Sequence, residues 1–113
     1  MRNIDVALCS GRHDIKKNDG STVGDFIWIG PIEPADINDF SKHELAFEQW
    51  LSNIIRSNEK TDLNIYVTGL TQLLTSVLSS VMNMDFAHRQ MLSLTLWHFD
   101  RDSERYVPQV ILT

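Results

Sequence analysis

Thr68-Gly69-Leu70-Thr71 places a glycine and two hydroxyl side chains between an apolar run, Leu63–Val67, and a helical pattern of Leu74, Val77, Leu78, Val81 and Met82. Glycine lacks the Cβ that keeps a ligand away from the backbone, and threonine hydroxyls can donate to a phosphate or a ribose. At a strand-to-helix turn the unpaired N–H groups of the first helical turn also face an anion. The chemistry expected of this loop is capture of a phosphate group. An ordinary turn with Thr71 as helix N-cap would use the same residues. No Lys-Ser/Thr pair follows the glycine, so the loop is not a Walker A element and nothing points to ATP hydrolysis. Enlarging Gly69 is expected to cost ligand binding and little stability, because Thr71 can cap the helix.

Positive charge for such a ligand could come from two stretches. Arg12, His13, Lys16 and Lys17 flank the turn signal Asn18-Asp19-Gly20, which predicts a small hairpin between Ile15 and Val23. Arg101 and Arg105 bracket a polar turn beside Trp97, Phe99 and Tyr106, where an aromatic face can stack a base while an arginine meets its phosphate. With Ser10 and Gly11 ending the first strand, the candidate ligand-binding residues are Ser10, Gly11, Arg12, Thr68, Gly69, Thr71, Arg101 and Arg105.

Catalytic constellations are fragmentary. His98 and Asp100 share a strand face only if the strand stays regular to that point, and there is no GxSxG elbow. His43 and Glu48 read as an exposed helix face. The four histidines are scattered and the single Cys9 completes no zinc spacing, so neither a metal nor a cofactor is expected.

The elements that must hold these residues follow from periodicity. Asn3–Cys9 and Phe26–Ile29 read as strands. Ser41 with Glu44 suggests a capping box for a helix running to about Ser57, with Leu45, Trp50, Leu51, Ile54 and Ile55 as its apolar face. The strand and helix of the central loop come next, then a polar connection over Asp85–Gln90. Met91–Phe99 alternates Leu92, Leu94 and Leu96 with Ser93, Thr95 and Trp97, and Tyr106–Leu112 returns as a strand whose Pro108 assigns it to an edge or a bulge. The fold class expected is α/β or α+β: a small Rossmann-like mixed sheet in two or three layers, with two main helices and a C-terminal β-hairpin, residues 1–113 forming one domain.

With 113 residues, 42% of them hydrophobic and 22% charged, the chain is of ordinary globular composition. A formal net charge of −5 argues against nonspecific binding to long nucleic acids or acidic membranes. No run approaches the ~20 apolar residues of a membrane span, and one cysteine with no signal-peptide pattern makes the cytoplasm the expected compartment.

The run IYVTGLTQLLTSVL, residues 65–78, resembles the strand–TG–Thr–helix segment of the CRISPR-associated Rossmann-fold (CARF) sensors. The resemblance implies binding of a cyclic or signalling nucleotide at the carboxyl ends of sheet strands, across a dimer, with Thr68, Gly69 and Thr71 as the corresponding positions and Ser10-Gly11-Arg12 as a looser counterpart. On this reading the chain senses or sequesters the nucleotide, in the manner of a phage anti-defence protein. Two alternatives stand beside it: a protein–protein interaction module or inhibitor of a host enzyme, and a metal-independent, ring-nuclease-like phosphodiesterase using His98 or His13. Unprotected edge residues Tyr106, Val107, Val110 and Ile111, with the small hydroxyl residues of the second helix, lead to a homodimer or higher homo-oligomer as the expected state. Arg101 or Arg105 would then reach across the boundary.

Overall fold

A computed structural model describes residues 1–11, 14–56 and 58–113. Its elements in chain order are β1 (Arg2–Cys9), β2 (Ile15–Lys16), β3 (Thr22–Val23), β4 (Phe26–Trp28), α1 (Phe40–Ile54), β5 (Thr61–Tyr66), α2 (Thr71–Met82), α3 (Phe86–Gln90), β6 (Leu92–Asp100) and β7 (Arg105–Leu112). Five strands form one mixed sheet in the order β4-β1-β5-β6-β7, parallel throughout except for the antiparallel β6–β7 pair. This is the small α/β architecture that the alternation of strand and helix patterns implies. β2 and β3 form a separate hairpin, pairing Ile15 with Val23 as the turn signal requires.

The period-two alternation sorts side chains between the faces. Val6, Leu8, Leu63, Ile65, Leu92, Leu94 and Leu96 point to one side and form the main core with Phe47 and Leu51 of α1 and Leu73, Val77 and Val81 of α2. The two helices pack against each other over this face. Ala7 and Tyr66 point to the other side, where Ile15 and Val23 of the hairpin cover them and Trp97 and Tyr106 flank them. The hairpin covers one end of that second face, and Asp62, Asn64, Ser93 and Thr95 stay half-exposed. Trp97 stacks on Tyr66 with ring centroids 5.7 Å apart and donates its Nε1–H to Asn64 Oδ1 at 3.0 Å.

Several local expectations are corrected. The N-cap of α1 is Asp39, whose carboxylate accepts from Lys42 N; the helix therefore begins before Ser41 and ends at Ile54. Ser57 lies outside the described residues. His43 is buried (2% exposed), its Nε2 2.9 Å from the Ile37 carbonyl oxygen and its ring edge-on to Trp28, whereas Leu45 is exposed. The heptad position that turns inward is set by Phe47 and Leu51, and His43 lies one turn before Phe47 on that stripe. In α2, Leu70 is the N-cap without a side-chain bond, and Thr71 is the first helical residue. Met82 is exposed, while Ser76 and Ser80 are buried in the protomer, so half of the hydroxyl stripe is unavailable to another subunit. The expected polar connection over Asp85–Gln90 holds the short helix α3, Phe86–Gln90, capped by Asp85 accepting from His88 N at 2.9 Å. Two arginines close the main helices: Arg2 donates to the Ile54 carbonyl, and Arg89 to those of Met82 and Met84.

Candidate functional site

The carboxyl ends of β1 and β5 meet at the predicted loop. Thr68 Oγ1 donates to the Cys9 carbonyl at 3.2 Å, and the Cys9 amide lies 3.5 Å from the same oxygen. Ser10 Oγ accepts from Gly30 N at 2.8 Å. The hydroxyls of Ser10 and Thr68 thus tie adjacent strand ends together. Gly69 has φ +75°, and a Cβ there would stand 2.4 Å from Cys9 Sγ. The missing Cβ makes room for the thiol. The expectation that Gly69 could be enlarged at little cost to stability is therefore wrong: both the left-handed backbone and the contact oppose it. Gly11 and Thr71 are exposed, and Arg12 and His13 lie outside the described residues.

A second concavity draws together stretches that are far apart in sequence. The β2–β3 hairpin leans on the β6–β7 hairpin, and between them lies an open cavity of about 380 Å³ lined by Asp14, Lys16, Lys17, Asn18, Gly20, Phe99, Glu104, Arg105 and Tyr106. Asn18 fastens the two: its Oδ1 accepts from Tyr106 N at 2.8 Å and its Nδ2 donates to Tyr106 O at 3.0 Å. Lys17 Nζ lies 2.8 Å from Asp5 Oδ2 on β1, and that hydrogen bond holds its ammonium above the ordinary lysine range. Lys16 and Arg105 have no ion-pair partner among the described residues. Phe99 is half-exposed and meets Tyr106 edge-on at 5.4 Å, while Tyr106 in turn meets Tyr66 at 5.0 Å. Burial raises the Tyr66 and Tyr106 phenols above the usual tyrosine range, and the nearby Asp5 charge adds to this at Tyr66.

Of the predicted residues, Ser10, Thr68 and Gly69 are brought together around Cys9, and Arg105 joins the lysines of the hairpin. Arg101 is exposed in the β6–β7 turn and does not line the cavity. Phe99, one of the aromatics expected to stack a base, lines the cavity, and Asn18 joins it as a lining residue that the sequence marks only as part of a turn. The Asn-Asp-Gly signal located Asn18 in a turn, but its partner is 88 positions away.

The imidazoles do not assemble a catalytic set among the described residues. His98 Nε2 is 2.8 Å from Gln109 Oε1 across the hairpin, and Asp100 accepts from Ser103 Oγ at 2.7 Å. Asp85 and His88 do pair, at 2.7 Å, beside a mainly apolar cavity of about 760 Å³ at the other end of the sheet. Ser80 and Ser52 line the same cavity, but the buried Ser80 Oγ has no hydrogen-bond partner and Ser52 Oγ donates to the Gln49 carbonyl, so among the described residues neither hydroxyl is coupled to that imidazole. No group of three or more metal-ligating side chains occurs among the described residues, and no helix is long and apolar enough to cross a membrane.

The fold and site define a small α/β protein with a mixed five-stranded sheet and a cleft between two hairpins. In comparisons with known proteins, the chain matches no protein-family model, no curated protein sequence and no solved structure.

Proposed function

We propose that the protein binds a nucleotide, of the cyclic or signalling kind, in the cleft between its two hairpins, and that it captures this ligand without turning it over. One observation carries the reading: folding brings Lys16 and Arg105, remote in sequence, to the same cavity as the half-exposed Phe99 ring. Cations for phosphate and an aromatic ring for a base are the two halves of nucleotide recognition. The lining also holds Asp14 and Glu104, and Lys17 is matched by Asp5. A lining of mixed sign suits a nucleotide better than bare phosphate, because ribose hydroxyls and base amino groups supply donors for the carboxylates.

The test is a thermal-shift and calorimetric screen of mono-, di- and cyclic nucleotides, with inorganic pyrophosphate as the control. A ligand at ~100 times its dissociation constant adds ~2.7 kcal/mol of stability. Lys16→Ala with Arg105→Ala should abolish that gain and leave the melting temperature of the free protein within a degree or two, since both side chains are exposed. Recovery of the ligand unaltered on chromatography separates capture from hydrolysis. If no nucleotide shifts the wild-type protein at millimolar concentration, or if the double variant binds as well as wild type, the reading fails.

A further inference from the structure

β7 is one outer strand of the five-stranded sheet, and the hydrogen bonds of its neighbour β6 show which of its backbone groups face outward. Val67 N donates to Trp97 O at 3.0 Å, so the amide and carbonyl of Trp97 face β5. Alternate residues of β6 share that direction, which makes Thr95–Val110, Trp97–Pro108 and Phe99–Tyr106 the non-hydrogen-bonded pairs of the β6–β7 ladder. The amides and carbonyls of Tyr106 and Val110 and the carbonyl of Pro108 therefore point away from the sheet. These three positions form the template that an incoming strand would read.

Two of the three are closed, by unrelated means. Pro108 has no N–H, and because it occupies a non-hydrogen-bonded pair its presence costs β6–β7 nothing. Tyr106 has both groups taken by the Asn18 side chain, which pairs with them as a neighbouring strand would. Val110 is left, with its side chain 62% exposed, next to the irregularity where Ile111 has no opposite residue.

We infer that Asn18 and Pro108 act together to close the β7 edge, and that the partner they exclude is a second copy of this chain. Two β7 strands laid antiparallel about Pro108 would set Tyr106 of each copy opposite Val110 of the other. With Asn18 in place neither Tyr106 can join, and the two prolines face each other without donors. Releasing Asn18 and restoring an N–H at position 108 would complete a six-bond ladder between copies whose edges already carry exposed Val107, Val110 and Ile111.

The experiment compares wild type, Asn18→Ala, Pro108→Thr and the double variant by light scattering and sedimentation over a range of concentration. The double variant should have a dimer dissociation constant at least tenfold below that of wild type, and each single variant should fall between. A folded double variant that associates no more than wild type overturns the inference. Amide exchange in the unmodified protein tests the same closure without any mutation. The Tyr106 amide should exchange at least tenfold more slowly than that of Val110, and equal rates would show that Asn18 does not hold the edge.

Discussion

Replacing Gly69 by alanine tests how the strand ends are joined. At φ +75° an alanine sits in left-handed backbone, which costs about 1–2 kcal/mol. Its Cβ would also lie 2.4 Å from Cys9 Sγ, closer than any ordinary contact, and relieving such overpacking costs roughly 1–3 kcal/mol. The expected loss is therefore about 2–5 kcal/mol, a large part of the ~5–15 kcal/mol that holds a typical domain together. The two contributions are separable, because Cys9→Ala removes the obstructing sulfur and leaves the backbone strain. In the Cys9→Ala background the same Gly69 change should cost only about 1–2 kcal/mol, a coupling that a double-mutant cycle of urea unfolding curves measures directly. Two results would refute the reasoning. One is a Gly69→Ala protein within about 0.5 kcal/mol of wild type; the other is an equal loss with and without the thiol.

Other perturbations follow from the same geometry. His43→Ala should destabilise by about 2–4 kcal/mol, from a buried ring removed beside Trp28 and a carbonyl at Ile37 left without its partner; unfolding midpoints near those of wild type would place His43 outside the core. At low pH, Asp85 is held below its ordinary range first by the His88 amide and then by the His88 ring. Its contribution is present above the unfolded value of 3.8 and is lost as pH falls through the lower folded value, so Asp85→Asn should flatten the acid limb of stability below about pH 4. At high pH the sign reverses: Tyr66, Tyr106 and Lys17 all have raised values, so their contribution is complete below pH 10 and is lost as pH rises through the folded values. Absorbance at 295 nm should show two tyrosines ionising above pH 10 together with the loss of near-ultraviolet dichroism, and ionisation at pH 10 without structural change would contradict this.

The architecture was legible where one periodicity dominated. Leu92, Leu94 and Leu96 against Ser93, Thr95 and Trp97 gave β6 with its two faces, and Val77 and Val81 marked the buried side of α2. Helix starts were misread because two capping patterns competed. Asp39 lies just upstream of Ser41, and tertiary packing of Phe47 and Leu51 favoured the earlier start that also buries His43. The loop at Gly69 was found by its residue types, but those types could not tell a surface offered to a ligand from one filled by Cys9, 60 positions away. The cleft was less legible still. Its parts were visible as a basic hairpin and an aromatic turn, and only the Asn18–Tyr106 contact makes them one site.

That contact also bears on how the cleft would bind. A two-stranded hairpin is marginal alone, and a cation on a mobile hairpin would lose much of its binding energy to ordering. Here the hairpin is fixed at three points: Ile15 and Val23 are buried over Ala7 and Tyr66, Lys17 is paired with Asp5, and Asn18 holds the backbone of Tyr106. Lys16 stands between the first two of these anchors on the same short strand and its start of turn, so its backbone is set before any ligand arrives. The backbone of Arg105 is equally constrained, since it stands opposite that of Asp100 in the β6–β7 ladder at the base of the turn. The side chains remain free to adjust while their roots do not. The same amide that closes the β7 edge therefore sets the width of the cleft. Asn18→Ala should weaken nucleotide binding even though Asn18 supplies neither a charge nor an aromatic face, and the loss should appear as a less favourable binding entropy.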